Sequence, residues 1–332
     1  MNWAVIMAGG VGERFWPLSR RKQPKQLQAI VTRRTMIQEA VARLRPLVPP
    51  SRVVVVTNRE QAPAVSRQLP GVKHILAEPA GRNTAPCIAW AAQYIERRDP
   101  AAVMAVVPSD SHIENVDRYR QVVRASFALA DKEKVLITVG IQPTRPATGY
   151  GYIQVGKSIG RGFWQGKRFV EKPDLVTAKR FVATGQYRWN AGMFVWSVAA
   201  IREAFQRHAP GVWTGVQGDF AKVEKISVDY AIMEKADNVV VAGGDFDWDD
   251  VGDWTSLERH ITKDAAGNSV RGPFVGVDAA NNIILSGNHH LVGVVGVSGL
   301  VIVHTPDATL VCRQEDAQRV RELVKKLPKR NL

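Results

Sequence analysis

Cysteine is nearly absent. The 332 residues hold two, Cys87 and Cys312, far apart and in no C-x-x-C pair, so neither a disulfide framework nor a zinc site is suggested and both are expected as small core residues. No apolar stretch reaches the ~18 residues needed to span a bilayer. Met1-Asn2-Trp3 leads directly into the apolar run Ala4 to Ala8 without a basic leader or a small-residue cleavage site, so the expectation is a cytoplasmic protein with no secretory peptide and no membrane partner. Acidic residues are in deficit, 31 against 45 basic, for a formal net charge of +14. Such an excess fits nucleic acid, an anionic membrane surface or phosphorylated small molecules. The basic residues are scattered, as in Arg20-Arg21-Lys22, Arg33-Arg34, Arg97-Arg98 and Lys325-Lys326. No zinc-finger or aromatic RNA-binding motif accompanies them, so no nucleic-acid partner is expected.

A hydrophobic fraction of 45% excludes wholesale disorder, and the length suits one large domain with a smaller appendage. Short Val-, Ile- and Ala-rich runs (Trp3-Met7, Arg52-Thr57, His74-Ala77, Ala102-Val107, Val135-Ile141) alternate with helical spacing over Met36-Arg45, Thr84-Arg97 and Arg118-Ala130. That rhythm predicts an α/β fold, a Rossmann-like domain with a mixed, mainly parallel sheet and helices on both faces. From Gly149 to Ser197 strands broken by Gly and aromatic residues suggest a substrate-covering insertion. After about His260 short strands follow at close spacing: Phe274-Asp278, Asn281-Leu285, His290-Val297, Leu300-His304 and Thr309-Cys312. They predict a small β-solenoid or meander followed by an amphipathic helix over Glu315-Leu327. The expected domains are therefore residues 1–260 and 261–332.

The first strand runs straight into Ala8-Gly9-Gly10-Val11-Gly12, the place where ligands sit in open α/β sheets. Glycines there let consecutive N–H groups cradle an anion. A Walker A loop is excluded, because Arg14-Phe15 or Phe15-Trp16 stands where G-K-[ST] is required, and the dinucleotide fingerprint fails because Phe15 replaces its third glycine. Arg14 and Lys25 add cations to the same region; the bland alternative is a tight turn with solvated basic residues.

The stretch Met7 to Arg20, with Pro24-Lys25-Gln26, resembles the opening of sugar-nucleotide pyrophosphorylases. Its Phe15-Trp16-Pro17-Leu18-Ser19 portion is similar to mannose-1-phosphate guanylyltransferases. The resemblance continues in order. Glu78-Pro79-Ala80-Gly81-Arg82-Asn83-Thr84 resembles that family's guanine-binding segment, Val107-Pro108-Ser109-Asp110 its metal motif, and Phe169-Val170-Glu171-Lys172-Pro173 its sugar-phosphate motif. Trp189 to Phe194, Ser227 to Tyr230 and Trp248 to Gly252 follow. What the resemblance implies is transfer of GMP from GTP to α-D-mannose 1-phosphate, giving GDP-mannose and pyrophosphate with Mg2+. It also implies that the carboxyl-terminal part is an abbreviated left-handed β-helix. The alternative is a pyrophosphorylase of the same fold using another sugar phosphate or nucleotide.

Roles follow residue by residue from the resemblance and from what the chemistry requires. Ala8, Gly9, Gly10, Gly12 and Ser109 are expected at the nucleotide, with Glu78, Arg82, Asn83 and Thr84 near guanine, whose N1 and N2 donors require acceptors. Asn83 or Thr84 could equally N-cap the following helix. Arg14, Lys25, Asp110 and Asp250 form the expected catalytic set, with Asp110 and Asp250 as oxygen ligands for Mg2+. Asp110 could instead be a turn or helix cap, and Asp247, Asp249 and Asp253 a solvated acidic turn. Lys172 is assigned to the sugar's phosphate, and Glu171 and Asn190 to its hydroxyls, against an exposed salt pair and an Asn turn. Gly149 either admits the sugar or bends a strand. Asp110-Ser111-His112 departs from the family's usual Asp-His, which opens the role of His112. A phosphate nucleophile is largely ionised at neutral pH, so no catalytic base is sought. A homodimer is a candidate assembly. The chain runs out after Leu327-Pro328, so no appended isomerase domain is expected.

Overall fold

Val53 to Val56 are fully buried, as a strand covered by helices on both faces must be. A computed structural model describes residues 1–287, 289–328 and 331. Its elements begin with β1 (Asn2–Met7), α1 (Met36–Leu44), β2 (Val53–Asn58), α2 (Ala62–Gln68), β3 (His74–Glu78), α3 (Thr84–Glu96) and β4 (Val103–Pro108). They continue through β5 (His112–Ile113), α4 (Val116–Lys132), β6 (Leu136–Ile141), β7 (Tyr152–Gly160), β8 (Phe163–Val170), α5 (Leu175–Thr184) and β9 (Tyr187–Ser197). Then come α6 (Val198–His208), α7 (Pro210–Gly215), β10 (Val239–Gly243) and β11 (Trp248–Asp249). The last are β12 (Ser269–Arg271), β13 (Phe274–Val277), β14 (Ile283–Leu285), β15 (Val292–Val295), β16 (Leu300–Thr305), β17 (Ala308–Arg313) and α8 (Val320–Val324).

The main sheet has nine strands in the order β3-β2-β1-β4-β9-β6-β10-β8-β7. β3, β2, β1 and β4 pair in parallel, as do β6 and β10, while β8 and β9 run against their neighbours. Two apolar clusters fill the two faces of the sheet, as the expected α/β fold requires. One expectation is corrected. The segment from Gly149 to Ser197 is no covering insertion as a whole, because β9 sits between β4 and β6 in the middle of the sheet. Phe194 and Trp196 are almost wholly buried, and a continuous apolar run of this kind belongs inside a sheet.

Beyond the sheet, β12, β14 and β16 stack in parallel on one side and β13 and β15 on another. This is the repeat of a β-helix. Buried asparagines support its turns: Asn268 Oδ1 accepts from the Asn282 backbone at 2.9 Å, and Asn282 Oδ1 accepts from Leu300 N–H at 2.9 Å. The expected helix over Glu315-Leu327 is shorter and broken. A 3-10 stretch over Gln314–Arg319 precedes the single short α8, whose apolar residues fit a fixed hydrophobic seat rather than a long helical stripe. Of the cysteines, Cys87 is buried and Cys312 only partly so. Among the described residues no helix is long and apolar enough to cross a membrane.

Candidate active site

The chain leaves β1 through the glycine loop, and two contacts set its course. Gly12 has φ +65°, and a Cβ there would lie 2.5 Å from Lys25 Cβ and 3.0 Å from Lys25 N, so only glycine lets the loop close on the Pro24–Leu27 turn. Gln26, buried behind the loop, donates from Nε2 to the carbonyls of Ala8 and Gly10, both at 2.9 Å. The N–H groups of Gly9, Gly10, Val11 and Gly12 have no backbone partner among the described residues. A run of amides without backbone partners can cradle an anion.

Lys25 is fixed by its surroundings. It is 5% exposed, and its Nζ donates to Asp110 Oδ2 at 3.0 Å and to the Asp250 carbonyl at 2.8 Å. It therefore ties three loops together rather than standing in solvent. Asp110 lies at the carboxyl end of β4 with its side chain 43% exposed. Asp250 follows β11, and its Oδ1 accepts from Tyr150 Oη at 2.6 Å. Burial pushes the Asp250 carboxyl above the ordinary range, opposed by the Tyr150 bond and the Lys25 charge and reinforced by Asp249 and Asp110. Gly252 leaves room for Asp250 Oδ2, since a Cβ there would sit 2.9 Å from it.

The neighbouring aspartates are not a solvated turn. Asp249 is 7% exposed and accepts from Arg259 Nε at 2.7 Å, His260 Nε2 at 2.9 Å and Val251 N–H at 2.9 Å. These bonds outweigh burial and hold its carboxyl well below the usual range. Asp253 is buried and accepts from Thr255 N–H at 2.8 Å, while Asp247 is exposed. His112 stacks edge-on against His260 at 4.6 Å and meets Glu114 Oε2 at 3.0 Å. That places His112 in the support of Asp249.

Glu171 and Asn190 reach the same cleft from β8 and β9. Asn190 is held by three bonds: Nδ2 donates to Asp229 Oδ1 at 2.7 Å, and Oδ1 accepts from Thr138 Oγ1 at 3.2 Å and Gly192 N–H at 3.1 Å. Its amide has one orientation. Burial and the Glu171 charge push the Asp229 carboxyl up to about 6. Lys172 is exposed, paired with Glu171, and takes φ +46°. Gly149 and Gly151 both line the cleft and differ in their surroundings. Nothing lies within 4 Å of a Cβ built on Gly149, whereas one on Gly151 would run into Glu171 Oε2.

Thr84 opens α3 without capping it: its Oγ1 accepts from Val228 N–H at 2.9 Å, and Asn83 takes the cap position. Glu78 is buried at the end of β3 beside Gly9, its Oε1 has no partner among the described residues, and burial raises its carboxyl to about 7. The Nε atoms of Arg14 and Arg82 are also buried without partners among the described residues.

These parts meet in a cleft of about 700 Å³, within the range of ~300–1,000 Å³ usual for ligand sites. Gly12, Arg14, Lys25, Thr84, Asp110, Gly149, Glu171, Asn190 and Asp250 line it. Ala8, Gly9, Gly10, Glu78, Arg82, Asn83, Ser109 and Lys172 do not. Tyr150, Gly151 and Arg321 line it without having been expected, as does Asp229, which the Ser227 to Tyr230 motif held without an assigned role. Their contacts join residues some 40 to 100 positions apart, and Tyr150 and Gly151 carried a local hint only in the unusual Gly-Tyr-Gly spacing.

Asp110 and Asp250 offer hard carboxylate oxygens close enough for their charges to interact, a donor set that fits Mg2+. Among the described residues no group of three His, Cys, Asp or Glu side chains could hold an ion. A metal here would therefore draw most of its ligands from phosphate and water.

Comparison with known proteins agrees with the architecture. The nucleotidyl transferase family model matches residues 3–267, and the MannoseP isomerase/GMP-like beta-helix domain matches residues 272–327. The chain is 38% identical to the xanthan biosynthesis protein XanB of Xanthomonas campestris pv. campestris, covering 97% of this chain and 72% of that one. It is 37% identical to a mannose-1-phosphate guanylyltransferase of Sinorhizobium fredii, covering 97% and 67%. The solved structure described as mannose-1-phosphate geranyltransferase from Thermus thermophilus superimposes with a TM-score of 0.90 at 35% identity, covering 98% of both chains.

Proposed function

The chain belongs to the nucleotidyl transferase family, and on that premise we propose that it converts GTP and α-D-mannose 1-phosphate to GDP-mannose and pyrophosphate. The observation that carries the reading is one cleft lined by the glycine-loop turn, Arg14, Asp110 and Asp250 and also by Glu171 and Asn190. It offers charge for a triphosphate and hydrogen-bonding groups for a sugar. The names of the similar proteins supply the choice of mannose and guanine.

A phosphate oxygen of mannose 1-phosphate attacks the α-phosphorus of GTP. A new P–O bond forms, the bond to the α,β-bridging oxygen breaks, and pyrophosphate leaves with that electron pair. The nucleophile is already ionised, so no protein base moves a proton. Alignment and fixed charge are what the site contributes. The loop amides and Arg14 take the triphosphate. Lys25 keeps Asp110 and the Asp250 loop in register, and Tyr150 holds the Asp250 carboxylate. Asp110 and Asp250 are the residues that would hold Mg2+, which supplies neutralising charge on the phosphates when bound. Glu171 and Asn190 bind sugar hydroxyls; with its amide fixed by Asp229 and Thr138, Asn190 presents one pattern and disfavours an epimer. Lys172 contacts the sugar's phosphate by moving from Glu171. Ala8, Gly9, Gly10 and Ser109 shape the phosphate loop, and Glu78, Arg82, Asn83 and Thr84 form the guanine side. Residues 1–260 are the catalytic unit and 261–332 the β-helix unit.

Incubation with GTP, mannose 1-phosphate and Mg2+ is expected to release pyrophosphate and yield GDP-mannose. A nucleotide panel with mannose 1-phosphate fixed tests the base. No turnover with any common nucleotide and sugar phosphate would overturn the enzyme reading.

A further inference from the structure

Three Lys or Arg side chains line the cleft among the described residues: Arg14, Lys25 and Arg321. Lys25 is committed to Asp110 and the Asp250 carbonyl. Arg321 comes from the far end of the chain, on α8, and is exposed. On its own segment Asp316 pairs with Arg319 at 3.0 Å and Glu322 with the same arginine at 3.5 Å, while Glu13 lines the same cleft.

The position of Arg321 is built in. Beside it on α8, Val320 and Val324 are buried in a cluster with Phe15, Trp16, Val251 and Trp254, and α8 packs on the Glu13–Phe15 turn of the loop. Further ties fix the segment. Trp16 Nε1 donates to the Asn331 carbonyl at 3.0 Å, Arg20 pairs with Asp307 at 2.9 Å, and Gln318 donates to Asp253. α8 packs on the Glu13–Phe15 turn of the glycine loop, whereas Glu171 and Asn190 enter from the end of β8 and from β9, and this packing assigns Arg321 to the loop side of the cleft.

We propose that Arg321 is a further phosphate-binding residue, contacting the β- and γ-phosphates of the nucleotide and the departing pyrophosphate, and that the carboxyl-terminal segment serves the reaction by holding it there. The inference rests on the nucleotidyl-transfer reading. A guanidinium matches two phosphate oxygens at once and is charged at every working pH.

Arg321→Gln and Arg321→Lys test it. In the Gln variant the KM for GTP, and for pyrophosphate in the reverse direction, should rise about tenfold, the scale of one charge-assisted contact at a partly exposed site. The KM for mannose 1-phosphate should stay near wild type, and Arg321→Lys should recover part of the loss. Thermal unfolding of both variants should match wild type, because the side chain is exposed. Unchanged KM values for GTP and pyrophosphate, or an equal rise for the sugar phosphate, would overturn the proposal. Wild-type turnover tests the underlying reading separately. Titration calorimetry with GTP and with inorganic pyrophosphate reads Arg321 whatever the acceptor is: weaker binding to the Gln variant supports the assignment, and equal binding refutes it.

Discussion

Gly12→Ala is the most direct test of how the loop is built. The new Cβ would lie 2.5 Å from Lys25 Cβ and 3.0 Å from Lys25 N and Ser19 Oγ, at φ +65°. Alanine in that backbone region costs about 1–2 kcal/mol. The clash adds about 1–3 kcal/mol, as overpacking of a tight contact does, because neither Cβ can rotate away. Relief requires the loop and the Lys25 turn to part by about 1 Å, the gap to ordinary carbon contact at ~3.5 Å. Lys25 Nζ, bonded to Asp110 and the Asp250 carbonyl, then moves with its backbone. A shift of that size in a catalytic array costs on the order of 100-fold. The expected result is a loss of about 2–4 kcal/mol in denaturant unfolding and a fall of about two orders of magnitude in kcat/KM for GTP, read by pyrophosphate release. Gly10→Ala is the control: nothing lies within 4 Å of its Cβ, so its stability should match wild type. If Gly12→Ala kept both wild-type stability and wild-type kcat/KM, the close seat of loop on Lys25 would not position the cleft.

Asp110→Asn should lower kcat by more than about 100-fold without unfolding the protein, the scale of removing a preorganised charge; metal-dependent turnover at the wild-type rate would remove Asp110 from the ligand set. Tyr150→Phe should cut kcat about tenfold by freeing the Asp250 carboxylate, with a compensating fall in the Mg2+ concentration dependence counting against that role. Glu78 carries a pH signature. Its carboxyl is raised from 4.5 to about 7, so the unfolded chain gives up the proton first and stability falls as pH climbs through that window, reaching its low plateau above it. Glu78→Gln should therefore be more stable than wild type at pH 8, by about 1–3 kcal/mol, and nearly equal at pH 4; melts showing the same difference at both would refute the burial argument. Trp254→Ala should cost about 3–5 kcal/mol and also lower kcat/KM at temperatures where the variant stays folded, and unaltered kinetics would separate that core from the cleft.

What the sequence makes legible is local. The glycine loop, the strand-helix rhythm and the carboxyl edge of β4 at Asp110 each depend on a few adjacent residues, and the structure has them where spacing predicts. What it hides is pairing across distance. β9 looks like part of a cover because its glycine and aromatic residues break the pattern of the earlier strands, yet Phe194 and Trp196 register against Val106 and Met104 of β4, a pairing no neighbouring residue announces. Lys25 reads as a cation at the loop, but lysine is usually solvated, and only the fold reveals the two acceptors that allow its burial. His112 follows the same rule. The serine before it leaves it near Asp110 in sequence, but the short pairing of β5 with β11 aligns His112 with Asp249, so it serves that buried carboxylate.

The charged groups of the cleft are mounted on an apolar cluster to which both parts of the chain contribute. Phe15 follows Arg14, Val251 follows Asp250, and Val320 precedes Arg321; all three apolar residues are buried in one cluster with Trp254. Trp254 itself donates to the Trp16 carbonyl at 3.1 Å and packs on Phe15 at 4.8 Å. Ile283, Leu285, Val301 and Val303 of the β-helix complete the same cluster. A cation, a carboxylate and a second cation are thus mounted on adjacent positions of a single apolar core, and the β-helix supplies one wall of it. A rigid mounting matters more here than in a site that moves protons. With an ionised nucleophile and an in-line displacement, rate depends on how little the charged groups must reorganise as the leaving pyrophosphate gathers charge. A β-helix, whose stacked coils and buried asparagines leave few free torsions, is suited to hold that geometry.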